Sequence, residues 1–208
     1  KDEIELFDAG LIENKKITSE VCIPHLLFSS SDYENLGSLI KCNPSIKANS
    51  DKTALRQALK KGVIDYVATD HAPHILSEKE KNYLNSPSGM PSVQHSFLAV
   101  LEMVHDGDLE ITDVPKITSH NVAKRFEIKD RGFINEGFWA DLVLVNMNDS
   151  YEVKKEKIFY KCGWSPFESY TFKSRIIETI INGERVCSQG KILSDKIGQK
   201  LEFSRGYK

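Results

Sequence analysis

The sequence has no long hydrophobic run, little cysteine and no excess of charge of either sign, and each shortage narrows what the protein can be. No apolar stretch approaches the roughly 20 residues that span a bilayer. The opening Lys1-Asp2-Glu3-Ile4-Glu5 lacks the basic-then-apolar form of a signal peptide. Lys and Arg number 28 against 30 Asp and Glu, a formal charge of -2, so nothing points to nucleic acid or to a membrane as a partner. Small neutral or anionic substrates stay open, and a soluble, cytoplasmic protein is the expectation. The four cysteines, Cys22, Cys42, Cys162 and Cys187, are widely spaced, form no Cys-x-x-Cys pair and read as reduced. Cys22 and His25 do form a Cys-x-x-His pair, which admits a zinc ligand or a thiol nucleophile. Such a pair needs partners, and cysteine is commonly a buried strand residue, so packing is the favoured reading.

What is present is enough for a core. At 208 residues and 40% hydrophobic composition the chain is ordinary for one large or two small domains. It does not begin with Met, and Ile4, Leu6 and Phe7 among acids read as the middle of a helix, so the expectation is that something precedes Lys1.

Up to about residue 126 strand-like and helix-like stretches alternate, as in parallel βα units. Lys1 to Gly10 reads as a helix and Ile17 to Ile23 as a strand ending at Pro24 and His25. A polar stretch from Ser29 to Glu34 leads to a short helix ending near Ile40, and Lys41-Cys42-Asn43-Pro44 is an extended turn. Ser50 is the expected N-cap of a helix with Leu55, Ala58 and Leu59 on one face and Gly62 at its end. The apolar run from Val63 to Ala68 reads as a buried parallel strand. Ile75 to Gly89 is a polar loop long enough to suggest either a lid over an active site or a solvated insertion. From Pro91 a helix pattern carries Val93, Phe97, Val100, Leu101 and Val104, and a further helix runs through Ala123 and Phe126.

From about residue 127 the pattern changes to strands. Gly132 and Gly137 punctuate a turn, Ala140 to Val145 is strand-like, and Ile176 to Ile181 and Arg185 to Cys187 flank Asn182-Gly183, a type I′ hairpin signal. The division is therefore 1–126, a βα part, and 127–208, a smaller β-rich part. A complete eight-unit barrel takes roughly 250 residues. The βα part offers about half of that and only about two strands, which fits a small open α/β layer or the C-terminal portion of a barrel.

Chemistry concentrates in Thr69-Asp70-His71-Ala72-Pro73-His74, directly after the strand ending at Ala68. At the C-terminal end of a barrel strand a carboxylate is placed for metal binding or proton transfer, whereas an Asp there can also do no more than cap a turn. The two imidazoles, with Pro73 stiffening the loop between them, exceed what a turn requires. His71 reads as a packing or supporting histidine, because neighbours at a strand end point different ways. His95, His105 and His120 lie in helical stretches and read as surface or capping residues.

The run Glu20 to Phe28 with Pro24-His25-Leu26-Leu27, then Lys41-Cys42-Asn43-Pro44, then Ile64 to His74 with Asp70-His71-Ala72-Pro73-His74, resembles the dihydroorotase family, bacterial type, of the amidohydrolase superfamily. Gly132 to Gly137 with Ala140-Asp141-Leu142, Ser165-Pro166-Phe167 and the Asn182-Gly183 hairpin fall in the same order, so the resemblance covers essentially the whole chain. It implies the C-terminal part of a metal-dependent (β/α)8 TIM barrel plus a small β-domain. It also implies a zinc-dependent cyclic amidohydrolase with one or two zinc ions, interconverting dihydroorotate and N-carbamoyl-L-aspartate in pyrimidine biosynthesis. An amide carbonyl is a poor electrophile, so such an enzyme uses metal to activate water and a carboxylate to carry protons.

On the resemblance, Asp70 binds metal and shuttles the proton, Asn43 contacts the substrate ring, and His74 holds the substrate carboxylate by a donated hydrogen bond. Pro87-Ser88-Gly89-Met90 closes over the ring through its backbone, with Ser88 where the family usually has an aromatic. The resemblance further implies a homodimer, with aspartate transcarbamoylase as a candidate partner. Pro24 departs from the paired histidines the family often shows, and His25 is not assigned to metal. The family's other metal ligands have no counterpart among these residues. One carboxylate cannot hold zinc, so the 208 residues alone are expected to be inactive. A hydantoinase or allantoinase, a non-catalytic amidohydrolase-like scaffold subunit, and a small α/β protein without metal chemistry are the alternatives.

Overall fold

The computed structural model describes residues 1–194 and 198–204; residues 195–197 and 205–208 of the expected β-rich part lie outside the described residues. Two parallel strands form the βα layer, β1 (Glu20–Cys22) and β2 (Tyr66–Ala68), paired Glu20 to Tyr66 through Cys22 to Ala68. Between them run α1 (Ile23–Leu27), α2 (Tyr33–Leu36) and α3 (Asn49–Lys60). After β2 come α4 (Leu76–Lys79), α5 (Ser96–His105), α6 (Asp113–Pro115), a π-helical turn over Lys116–His120, and α7 (Asn121–Phe126).

Several boundaries differ from the sequence expectation. The opening helix shrinks to a 3-10 turn at Asp2–Leu6, with Leu6 78% exposed, because a short helix without a buried face does not sustain itself. β1 ends at Cys22 because Pro24, which has no N–H for the ladder, occupies the first turn of α1 instead. Ser50 lies inside α3, whose N-cap is Ala48. α5 starts at Ser96 rather than Pro91, leaving Val93 exposed ahead of it.

The second part is antiparallel. β3 (Leu142–Asn146), β4 (Tyr151–Glu152), β5 (Thr171–Phe172), β6 (Arg175–Ile181), β7 (Glu184–Ser188) and β8 (Lys191–Ile192) follow in chain order. They make a four-stranded sheet in the order β3-β6-β7-β8 and a two-stranded β4-β5 pair. The expected hairpin is there: Ile181 pairs with Glu184 across Asn182 (φ 53°) and Gly183 (φ 84°), both left-handed as a type I′ turn requires. Asp141 anchors that turn, its Oδ1 accepting the Asn182 N–H at 2.8 Å, while the Gly183 N–H donates to the Ala140 carbonyl at 3.0 Å.

One hydrophobic core joins the two parts. It runs from Val21, Ile23 and Leu26 through Leu98 to Leu101 and Met103 to Val153, Trp164, Phe167 and Phe172. α5 is its axis and is buried almost all round, as a helix packed on both sides must be. Even its Glu102 is buried, with Oε1 accepting the Lys173 N–H at 2.6 Å from the far side of the joint.

Candidate active site at the strand ends

The candidate residues gather where β1 and β2 end. Asp70 follows β2 by two residues and holds a left-handed backbone, φ 49°, which turns the chain sharply out of the strand. Its carboxylate lies close enough to Cys22, at the end of β1, and to Cys42 that its charge helps raise both thiols. Burial is the larger cause, and together they push Cys22 to about 11 and Cys42 to about 12. Both therefore stay protonated at neutral pH. The Cys22–His25 pair is no thiolate site, and the His25 Nε2 lies 2.8 Å from the Pro44 carbonyl instead.

The turn after Asp70 is built against the loop that closes on it. His71 pairs with Met90 as a parallel bridge, and the Ala72 N–H donates to the Met90 carbonyl at 3.2 Å. His71 Nδ1 accepts the Ser92 N–H at 3.1 Å and its ring lies 5.3 Å from that of Tyr160, so it packs and orients the turn. Gly89 (φ 115°) lies so close to this turn that a Cβ would sit 2.6 Å from the Ala72 Cβ and 2.7 Å from its carbonyl oxygen. Its N–H donates to the Lys41 carbonyl at 2.8 Å, which ties the closing loop to the segment carrying Asn43. Asn43 and Ser88 are both exposed. His74 Nε2 lies 3.1 Å from the Ser88 carbonyl and Nδ1 3.6 Å from a Glu78 carboxylate oxygen. Asp70, Asn43, His74, Ser88 and Gly89 are thus carried by three segments hydrogen-bonded to one another.

The loop from Ile75 to Gly89 is strapped down. α4 lies within it, and Lys79, wholly buried, donates from Nζ to the carbonyls of Pro87 (2.8 Å) and Gly89 (2.7 Å). Lys41 donates to the carbonyls of Tyr83 and Ser86, each at 2.7 Å, and sits 4.9 Å above the Tyr83 ring. Tyr83 in turn packs edge-on against Tyr33 at 5.5 Å. Between these anchors residues 80–85 are exposed, Leu84 at 89%. Nothing in a Lys within a polar stretch announces burial, so the sequence carries no signal for Lys79.

His95 overturns its expectation. It is 1% exposed, not a surface residue, and although it stands at the N-cap of α5 its side chain caps nothing. It is enclosed by Tyr151, Tyr160, Phe167 and Phe172, with Phe172 stacked at 6.1 Å, and burial draws its pKa down to about 4. The cage comes from residues more than 50 positions downstream, beyond any local pattern. His105, closing α5, reaches the Ser174 hydroxyl at 2.8 Å, and His120 stacks on Phe133 at 4.4 Å.

Among the described residues no cluster of three or more His, Cys, Asp or Glu side chains could hold a metal ion. The described residues do not make a zinc centre by themselves. No helix is long and apolar enough to cross a membrane among the described residues.

The amidohydrolase family model matches residues 8–186. The chain belongs to the amidohydrolase family. Its relatives include the dihydroorotases of Pyrococcus abyssi, 32% identical over 185 residues (89% of this chain, 44% of the relative), and of Halobacterium salinarum, 37% identical over 153 residues (74% and 36%). The chain spans less than half the length of these relatives. Among solved structures it is similar to the L-hydantoinase of Arthrobacter aurescens, with TM-score 0.84 at 22% identity over 93% of this chain and 44% of that one. A D-hydantoinase from Thermus gives TM-score 0.78, also at 22% identity, over 88% of this chain and 42% of that one. These likenesses establish the fold, so the two parallel strands are barrel strands of an amidohydrolase rather than a small open layer.

Proposed function

We propose that this amidohydrolase chain is part of a dihydroorotase, interconverting dihydroorotate and N-carbamoyl-L-aspartate in pyrimidine biosynthesis in the cytoplasm. The observation that carries the reading is the 32–37% identity to dihydroorotases in a chain that holds Asp70 at the end of a barrel strand. Residues 1–126 serve as barrel units and 127–208 as the β-domain. Zinc, one or two ions, is the proposed cofactor, with Asp70 as one ligand and the remainder not found among the described residues. The proposed assembly is a homodimer, with aspartate transcarbamoylase a further candidate partner.

In the hydrolytic direction water adds to the ring amide carbon, the carbon–nitrogen bond breaks, and one proton of water ends on the leaving nitrogen. Asp70 is the proposed carrier: its carboxylate accepts that proton and releases it to nitrogen. Asn43, exposed beside the loop, can both donate to and accept from an amide edge of the ring. His74 is the proposed partner of the anionic carboxylate, met at Nδ1 in place of Glu78 while Nε2 stays on the Ser88 carbonyl, and Ser88 and Gly89 close over the ring. Both backbone polar groups of Gly89 are engaged within the chain, so its contribution is close approach.

Expression of the complete reading frame with zinc, assayed on dihydroorotate beside hydantoin and allantoin, tests this. Dihydroorotate turnover that falls by a factor on the order of 10³ or more in Asp70→Asn is the expected result, a preparation of residues 1–208 alone being inactive. Turnover of hydantoin or allantoin in its place, or none of the three, sinks the assignment.

A further inference from the structure

Three consecutive carbonyls of the closing loop are held from two sides. Those of Pro87 and Gly89 take the Lys79 ammonium at 2.8 and 2.7 Å, while the Ser88 carbonyl between them points the other way, onto His74 Nε2 at 3.1 Å. The peptide between Ser88 and Gly89 is itself tied on both sides, its N–H donating to the Lys41 carbonyl at 2.8 Å and its carbonyl facing His74, and the Lys79 grip on the two neighbouring carbonyls limits how far the flanking peptide planes can turn. Lys79 has no carboxylate partner in this contact, and burying a cation without a counter-ion is costly, with the two carbonyl hydrogen bonds offsetting only part of that cost. Burial lowers its pKa to about 8, and the neighbouring Lys41 ammonium acts in the same direction. The Ser38 hydroxyl holds the Lys79 carbonyl, so the lysine is anchored at its backbone as well.

We propose that Lys79 is a positioning residue for substrate binding: by gripping the Pro87 and Gly89 carbonyls it steadies the Ser88–Gly89 peptide, whose N–H is tied to Lys41, so that its carbonyl stays on His74 and loop and imidazole are held together over the ring. The inference rests on the dihydroorotase reading, and it concerns affinity rather than the chemical step. His74, tethered to Ser88, is pre-set in one ring orientation. Without Lys79 the Pro87 and Gly89 carbonyls lose their donor, the Ser88–Gly89 peptide keeps only its N–H bond to Lys41, and the contact with His74 loosens. The Asp70 turn keeps its bonds to Met90 and Ser92, neither of which takes a hydrogen bond from Lys79, and stays in place.

The test is Lys79→Met in the complete reading frame, assayed beside the unmodified protein, with Lys79→Arg as the variant that keeps charge and donors. The expected result is a KM for dihydroorotate raised about ten-fold or more with kcat within about three-fold, partly restored by Lys79→Arg. A merely structural lysine would lower the active fraction, and so kcat, without moving KM; that result, or unchanged kinetics, overturns the proposal. If the unmodified protein does not turn over dihydroorotate the functional reading fails by itself. Amide exchange then decides the positioning role: faster exchange across residues 82–90 in Lys79→Met, with β1 and β2 unchanged, supports it, and unchanged exchange overturns it. Should Lys79→Met not fold, Lys79→Gln, a shorter neutral donor, takes its place under the same criteria.

Discussion

At the residue scale, the histidines show how far an imidazole's neighbours decide its work. His71 is exposed and accepts backbone N–H groups, His74 bridges a loop carbonyl and a carboxylate, and His95 is sealed among aromatic rings. For His95 the seal has a pH consequence. Its folded pKa of about 4 lies below the ordinary value of about 6.5. Between those two pH values the unfolded chain takes up a proton that the folded one refuses. Stability is then complete above about pH 6.5 and falls as the pH drops through this window. Replacing His95 by Phe, which keeps the aromatic cage filled, should remove that part of the acid sensitivity. Urea midpoints of parent and variant at pH 7 and pH 4.5 measure it; an equal acid-induced drop in both assigns the sensitivity to other groups. The candidate site was readable at this scale in residue types, since Asp70 and His74 sit in one six-residue segment. Lys79 was not readable, because its burial depends on the loop folding back over it.

At the scale of elements, β2 is pinned at both ends by different means. Its C-terminal end carries the Asp70 turn, and just before its start lies a buried polar knot. Asp65 pairs with Lys15 at 2.8 Å, the two side chains 2% and 4% exposed, and its Oδ2 accepts the Ser19 N–H at 2.9 Å. Lys15 also donates to the carbonyls of Gly62 and Val63, and Asn121 of α7 donates to the Asp65 carbonyl at 2.7 Å. The knot fixes the register of β1 on β2 and brings α7 onto the same end. Removing one partner of a buried pair leaves the other charge uncompensated, so Asp65→Ala should destabilise by about 3–5 kcal/mol. Denaturant titration checks this, and a loss under about 1 kcal/mol would mean that water reaches Lys15 and the knot is dispensable. The apolar run around Asp65 announced a strand, yet an Asp inside it gave no hint of a partner 50 residues away.

At the scale of the whole molecule, the change from βα units to antiparallel strands near residue 127 is a change of secondary structure over one continuous core. Phe28, after α1, stacks on Phe167 at 5.5 Å, and Phe167 packs on Phe172 at 5.7 Å. Phe172→Ala should therefore cost about 3–5 kcal/mol. Amide exchange should quicken in β1 and β2 as well as in β6 and β7; quickening confined to the antiparallel sheet would mean that the two parts unfold independently. The sequence by itself determined the class of the molecule: parallel units first, the Asn182-Gly183 hairpin later, and an acid-and-imidazole cluster at a strand end. Those features are local, set by periodicity, by the φ > 0 demand of a type I′ turn, and by residues adjacent along the chain. Only the tertiary structure decided that the long polar loop is strapped by Lys41 and Lys79, that His95 is caged, and that Asp65 has a cation. Each of these depends on groups brought together by folding from distant or reversed segments, and the free energy of a buried charge or imidazole is set by what surrounds it rather than by what precedes it.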